Sequence, residues 1–208
     1  MVKKKQIEKE VVDKVEQFLN SQTPDTIIAK RIKLWEAEGI KKLHSTYSLR
    51  PDIDLLSKKD DGNLAGFEIK VFHSGENKYL FSGIDQTLAY LRFGLTYAGL
   101  IQVFLVKIEN DHITKEELEK HNARFSLYSN TVSTFLRTFN MPIRYMAFFD
   151  FLQDGKLADH PPQVVVIKIP EKSIRINEPF VNHEWEGTDE EKENRAKIRE
   201  YLDKQYRK

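Results

Sequence analysis

The stretch that decides the fold is RPDIDLLSKKDDGNLAGFEIK, residues 50–70. Two β-rich apolar runs flank the turn-forming cluster KKDDGN, and this pattern predicts a hairpin. Each run carries charge where a buried strand is normally apolar: Asp52 and Asp54 in the first run, Glu68 and Lys70 in the second. Because side chains alternate along a strand, each pair lies on one face of its strand. We therefore expect the four charged groups to converge.

Helical and strand patterns alternate around this hairpin. Apolar residues at helical spacing predict helices over residues 4–20, 83–93, 115–139 and 188–208. Short β-rich or continuously apolar runs predict strands over residues 49–56, 64–72, 99–107, 143–149 and 163–169. Residues 27–34 fit either a strand or a helix, and residues 35–43 look helical as far as Gly39. The alternation indicates an α/β protein in which helices flank one central mixed sheet.

The composition fits one globular domain. The chain has 208 residues, of which 40% are hydrophobic and 31% are charged, and its net charge is +1. We predict a single α/β domain over residues 1–187 and a charged C-terminal helix over residues 188–208. The chain has no cysteine, which excludes disulfides, thiolate zinc sites and cysteine nucleophiles.

We expect a cytoplasmic protein with no membrane partner. The longest strongly apolar stretch, residues 97–106, is far shorter than the about 20 residues that cross a bilayer. The first ten residues, MVKKKQIEKE, lead into a charged amphipathic segment that lacks an apolar signal core. The absence of cysteine fits the same location.

The charged hairpin has a chemical interpretation. Carboxylates that lie close together repel one another, and burying each of them without a partner costs on the order of several kcal/mol. A divalent cation would resolve the repulsion, because Mg²⁺ takes oxygen ligands and keeps waters for a substrate phosphate. Lys70, two residues beyond Glu68, could then position or deprotonate an attacking water. This arrangement is typical of phosphodiester hydrolysis.

A structural alternative stays open on the hairpin alone: a surface hairpin in which Asp52 or Asp54 pairs with Lys70. The Asp/Glu-x-Lys pattern occurs four times in the chain and Pro-Asp occurs twice. Only residues 51–70 join the two patterns, in order, on consecutive predicted strands. That coincidence favours a site.

Two further features lie outside the hairpin. Glu8 falls inside the apolar arc of the first helix, where a carboxylate needs a partner, unless the first turn frays into solvent. Gln86 and Tyr90 are four residues apart on the helix that follows the hairpin, away from its apolar stripe. By itself such a pair is an ordinary half-buried contact.

Together these residues resemble the PD-(D/E)xK nuclease superfamily, in the branch with a Gln-x-x-x-Tyr motif. The resemblance covers about residues 4–107, and residues 51–90 carry most of it. It implies a restriction-endonuclease-like three-layer core. It also implies that the metal ligands are Asp52, Glu68, the Ile69 carbonyl and Glu8, and that the catalytic set further includes Lys70, Gln86 and Tyr90. Asp54 is the substitute for Asp52, because it is the aspartate that faces Glu68 across the hairpin.

The resemblance implies a Mg²⁺- or Mn²⁺-dependent nuclease that acts on nucleic acid, with DNA expected. The alternative is a non-catalytic nuclease-like fold that binds nucleic acid or serves assembly. No histidine spacing typical of a metal site and no P-loop pattern is present. The mild net charge argues against a broad basic DNA surface on one subunit, which leaves room for a homodimer or a partner protein.

Overall fold

The computed structural model of the protein describes residues 2–22, 26–33, 52–58, 63–73, 79–92, 95–108, 113–154, 156–159, 163–168 and 189–206. The helices are α1 (Val2–Gln22), α2 (Ile84–Arg92), α3 (Lys115–Thr138) and α4 (Asp189–Tyr206). The strands are β1 (Thr26–Ile32), β2 (Ile53–Lys58), β3 (Leu64–His73), β4 (Tyr97–Ile108), β5 (Ile143–Gln153), β6 (Lys156–Leu157) and β7 (Gln163–Lys168).

The strands form one seven-stranded mixed sheet. Its order is β1-β2-β3-β4-β5-β6, and β7 also pairs with β5. The β2–β3 pair is antiparallel, with Lys58 opposite Leu64, so the predicted hairpin is confirmed. The β3–β4 and β4–β5 pairs are parallel, and α2 and α3 are the helices of these two crossovers. The prediction of an α/β protein with a mixed sheet is therefore confirmed.

Helices cover both faces of the sheet, and the alternation of side chains on β3 separates the two faces. One face carries Phe67, Ile69 and Val71, which pack against the apolar side of α1. The other face carries Phe72, which packs in a cluster that includes residues of α2 and α3. The side chains of Glu68 and Lys70 have the same parity as Phe72, so they lie on the α2 side of the sheet.

Residues 27–34, for which the sequence fitted either a strand or a helix, contribute to the strand β1. This strand pairs antiparallel with β2, and its register has an irregularity between Ile27 and Ala29. The helix predicted over residues 35–43 lies outside the described residues. α3 begins where predicted, because Thr114 and Glu117 form a capping box. In α4, Ile198 and Leu202 are buried in a cluster shared with β1, β2 and α2. Among the described helices, none is long and apolar enough to cross a membrane.

Candidate active site

The site begins where β2 and β3 stop pairing. The last paired residues are Leu55 and Phe67, and beyond them Ile53 pairs with Ile32 of β1 instead. In the gap, Oδ2 of Asp54 accepts a hydrogen bond from the main-chain N–H of Ile69 at 2.7 Å. A side chain thus takes the place of a ladder partner, since a buried N–H rarely stays unpaired. This bond draws the Asp54 carboxylate against β3.

Glu68 and Lys70 supply the opposite charges of the site. The Glu68 residue is only 3% exposed, whereas 28% of the Lys70 side chain is exposed. Nζ of Lys70 lies 2.5 Å from Oε1 of Glu68 and donates to Oε1 of Gln86, also at 2.5 Å. The ammonium is therefore held between a carboxylate of β3 and an amide of α2, with one side open to solvent.

Tyr90 lies one helical turn beyond Gln86 on α2, and it is fully buried. Its hydroxyl contacts Oε2 of Glu68 and lies 2.6 Å from the carbonyl oxygen of Asp52. Because a phenol has one proton, it donates to one of these oxygens at a time. Gly66 makes room for the ring, since a Cβ there would lie 3.0 Å from Cδ2 of Tyr90.

Burial makes the carboxylates of this site reluctant to ionise. It raises the pKa of Glu68, while Lys70 and the Tyr90 hydroxyl act in the opposite direction. Burial and then the charge of Glu68 raise the pKa of Asp54 to about 7, against the lowering effect of the Ile69 N–H. Burial, followed by the charge of Glu68, also raises the pKa of Tyr90 well above its usual value. With one ammonium and two carboxylates, the site lacks positive charge when both acids are ionised.

The structure places the two aspartates differently. The carboxylate of Asp54 contacts β3, and Glu68 is close enough to raise its pKa. Asp52 is half-buried, and its charge raises the pKa of Asp54 further, so it also lies near the site. The main-chain carbonyl of Asp52 also faces the Tyr90 hydroxyl. Asp54, the substitute aspartate of the sequence-based prediction, is thus the one whose carboxylate is bonded to β3.

Glu8 is half-buried on α1, the helix that packs against the opposite face from Glu68 and Lys70. Its neighbours Ile7, Val11 and Val12 fill that face. The structure therefore does not bring Glu8 together with the β3–α2 cluster, and its role as an accessory acid stays a prediction. The main chain of Ile69 contributes its N–H to Asp54, while its carbonyl as a metal ligand also stays a prediction.

Sequence reasoning missed Gln102, which is fully buried in β4 and lies beside Lys70 in the parallel register. Its Nε2 donates to the carbonyl of Leu80 at 2.8 Å, and its Oε1 accepts from the Tyr145 hydroxyl at 2.7 Å. The signal was present, because an amide interrupts the apolar run of residues 99–107. Gln102 anchors the turn of residues 79–83 to the sheet.

A cavity of about 770 Å³ adjoins the site on the α2 side. Lys70 and Gln86 form one end of its wall, next to the carboxylates. The rest of the lining comes from β3, the turn, α2, the end of α3 and the segment after it: Phe72, Tyr79, Phe81, Ser82, Gly83, Ile84, Asp85, Leu88, Phe135 and Met141. A substrate held at Lys70 therefore has an adjoining space whose wall is mainly apolar and includes four aromatic rings.

Within the described part of the chain, no group of three or more His, Cys, Asp or Glu side chains is arranged to hold a metal ion. Comparison of the chain with protein-family models, with curated proteins and with solved structures gives no match.

Proposed function

We propose that this protein is a metal-dependent nuclease that hydrolyses phosphodiester bonds in nucleic acid, with DNA as the expected substrate. The observation that carries the proposal is the pair Asp54 and Glu68, a half-buried and a buried carboxylate on diverging strands with a lysine beside them. Perturbed acids next to a specific charge partner in a cleft are a mark of functional sites. The restriction-endonuclease-like three-layer core belongs to the same proposal.

The donor set fits a hard divalent cation. Burial, and after it repulsion by the Glu68 carboxylate, raises the pKa of Asp54, and a cation would relieve that repulsion. These two side chains would hold Mg²⁺ or Mn²⁺ together with the Ile69 carbonyl, and Asp52 lies near enough to assist. When bound, the metal would supply Lewis-acid polarisation of the phosphate and a lowered pKa of a coordinated water.

Lys70 is the residue that would meet the reacting groups. Its ammonium is aimed by two oxygens, Oε1 of Glu68 and Oε1 of Gln86, and its side chain is partly exposed. A lysine so placed can hold an attacking water or stabilise the negative charge that develops on the phosphate oxygens. Gln86 fixes the direction of the ammonium, because the side chain of a free lysine would sample many rotamers.

Tyr90 acts as a positioning residue for Glu68. Its hydroxyl bonds Oε2, while Lys70 bonds Oε1, so both oxygens of the carboxylate have assigned partners. Hydrogen bonds of this kind orient metal-binding carboxylates and tune their affinity. The Gln-x-x-x-Tyr spacing thus has a physical role: one turn of α2 supports the lysine and the glutamate of β3 together.

One observation favours a second function, a nuclease-like fold that only binds nucleic acid or serves assembly. The charged groups already have partners within the chain: Asp54 has the Ile69 N–H, and Glu68 has Lys70 and Tyr90. In this second function the pairs have a structural role alone. The acids then stabilise the protein where β2 and β3 stop pairing, and they need no cation.

Cleavage assays on the purified protein test the first function against the second. Labelled single- and double-stranded DNA and RNA are incubated with Mg²⁺, Mn²⁺ or a chelator. We expect cleavage that needs the metal and that Glu68→Gln and Lys70→Met abolish. Glu119→Gln, which removes an exposed carboxylate on α3, is the matched control and should leave cleavage unchanged. Absence of cleavage on every substrate with both metals would favour the binding module.

A further inference from the structure

Four aromatic rings form a continuous run, and three of them, Tyr79, Phe81 and Phe135, line the cavity. The ring centroids of Tyr79 and Phe81 lie 5.5 Å apart, those of Phe81 and Phe135 lie 4.6 Å apart, and those of Phe135 and Phe139 lie 4.7 Å apart. The first two rings belong to the turn before α2, and the last two to the end of α3. This aromatic run therefore joins two elements that are distant in sequence.

Both ends of the aromatic run are open to solvent. Tyr79 is 72% exposed and Phe139 is 61% exposed. Among the described residues, the large hydrophobic side chains that are exposed are these two and Leu127. Contiguous exposed apolar surface is a mark of interaction sites and ligand-binding grooves. The two rings between the ends are partly buried, and neighbouring rings are inclined to each other by 67°, 40° and 48°. A flat ligand would therefore stack on one exposed ring, such as Tyr79, without disturbing the core.

The charges around the cavity separate it into two parts. Among the described residues of its wall, Lys70 is the one lysine or arginine, and its ammonium adjoins Glu68. Asp85 is the one acid among the same described residues, and the others are apolar, aromatic or neutral polar, as in Ser82 and Gln86. A phosphate would therefore be held at the Lys70 end and kept from the interior. The interior suits a neutral, flat group with polar edges.

The turn that carries Tyr79 and Phe81 is held firmly against the sheet. Nε2 of Gln102 donates to the carbonyl of Leu80 at 2.8 Å, and the hydroxyl and main-chain N–H of Ser82 both donate to the carbonyl of Tyr79. Gly83 has φ +92°, and a Cβ there would lie 3.0 Å from Cγ and Cε of Lys70. The turn and the lysine are thus packed as one unit, and a ligand on the rings would lie at a set position relative to Lys70.

We propose that the cavity binds an unpaired nucleobase of the substrate, stacked on the aromatic run, while the adjoining phosphate lies at Lys70. The substrate class is then single-stranded nucleic acid, or a strand with a base turned out of its helix. Stacking on aromatic side chains is the usual way in which unpaired bases are bound. The placement of the base next to the cleaved bond rests on the nuclease function proposed above, whereas base binding itself does not.

Equilibrium binding tests the proposal. Fluorescence anisotropy is measured in a chelator, so that no cleavage occurs, with a labelled single strand of DNA, the same strand as RNA, and a perfect DNA duplex. We expect Tyr79→Ala and Phe139→Ala each to weaken single-strand binding about 5- to 100-fold, as loss of one stacked base predicts. Duplex affinity should change less than about twofold by the same reasoning. The DNA and RNA arms show which sugar the site accepts.

Two controls isolate the base. Leu127→Ala removes an exposed apolar side chain of the same helix outside the aromatic run and should not change binding. Tyr79→Trp keeps a stacking surface and should keep affinity. A strand without bases should bind the wild type weakly, because it keeps the phosphates but has no base to stack. For the same reason Tyr79→Ala should not change the affinity of the protein for this strand. Melting curves of each variant confirm that the fold is intact, as expected for exposed positions.

The outcomes separate the two proposals. Equal binding by wild type and the alanine variants, or equal losses for duplex and single strand, would overturn base stacking whether or not the protein cleaves. Loss of self-association instead of nucleic-acid binding in the alanine variants would identify a protein interface and also overturn it. Selective single-strand loss without any cleavage would support base binding while the nuclease function fails.

Discussion

The Asp54 carboxylate accepts the Ile69 main-chain N–H at 2.7 Å, at the point where β2 and β3 separate. The bond lets a charged side chain enter a sheet that is otherwise closed by main-chain hydrogen bonds. It also sets the Asp54 carboxylate close enough to Glu68 for the two charges to repel. The proposed metal site depends on this one substitution of a side chain for a strand partner.

The two aspartates of the hairpin should differ in importance. We expect Asp54→Asn to lower kcat/KM by on the order of 10²-fold or more, because the amide keeps the Ile69 bond but loses the charge. Asp52→Asn should cost less than about tenfold, since a supporting residue contributes less than a ligand. Cleavage rates of both variants, with Glu119→Gln as a control for an exposed acid away from the site, provide the measurement. A larger loss for Asp52→Asn would restore it as the main ligand.

Metal should stabilise the folded protein. Because the cation binds the folded state, a concentration 100 times Kd should add about 2.7 kcal/mol to the free energy of unfolding. For a chain of this size that corresponds to a rise in Tm of roughly 5–10 °C. Glu68→Gln should remove the metal effect. A wild type whose Tm ignores Mg²⁺ and Mn²⁺, together with a destabilised Glu68→Gln, would instead support structural pairing with Lys70.

The pH dependence of the metal-free protein should reveal Asp54. Its pKa is about 7 in the folded state and near 3.8 in an unfolded chain, so between these values the folded state binds more protons. The stabilisation is fully present below pH 3.8 and is lost as the pH rises to about 7. At about 1.4 kcal/mol for each pH unit between these two pKa values, the loss should amount to about 4 kcal/mol.

Asp54→Asn cannot titrate, so its stability curve should lack this fall. Urea unfolding of both proteins in a chelator, at several pH values between 4 and 8, gives the difference directly. Parallel curves for the wild type and the variant would show that Asp54 is ionised throughout the range.

Tyr90 should act through Glu68. Tyr90→Phe keeps the ring that packs against Gly66 but removes the bond to Oε2 of Glu68. We expect the Mg²⁺ concentration for half-maximal stabilisation to rise about 10- to 100-fold, as for other residues that orient a metal ligand. Tyr128→Phe on α3 is the matched control. An unchanged metal requirement with lowered stability would reduce Tyr90 to a packing residue.

A buried ion pair far from the site should affect stability alone. Nζ of Lys14 lies 2.5 Å from Oδ2 of Asp150 and donates to the carbonyl of Ala158. Lys14→Met leaves the buried carboxylate without its cation and should cost about 3–5 kcal/mol. Cleavage per folded molecule, measured well below the melting temperature, should match wild type. A specific loss of activity would mean that the α1 face contributes to catalysis, as also predicted for Glu8.

The sequence by itself determined most of the elements and the pairing of the central hairpin, although it left β1 open and did not predict the short strand β6. Strand alternation placed Glu68 and Lys70 on one face, and helical periodicity placed Gln86 and Tyr90 one turn apart. These properties are local, since each depends on residues within a few positions of one another. The amide within the apolar run of β4 was also visible, although its partner Leu80 was not.

Only the tertiary structure decided how these elements meet. The choice between Asp52 and Asp54 depends on where β2 leaves β3, which the pairing of β2 with β1 helps to set. The position of Glu8 depends on which face of the sheet α1 covers, and the aromatic run joins a turn to a helix more than fifty residues away. Such contacts arise from register and packing between distant segments, and no local periodicity encodes them.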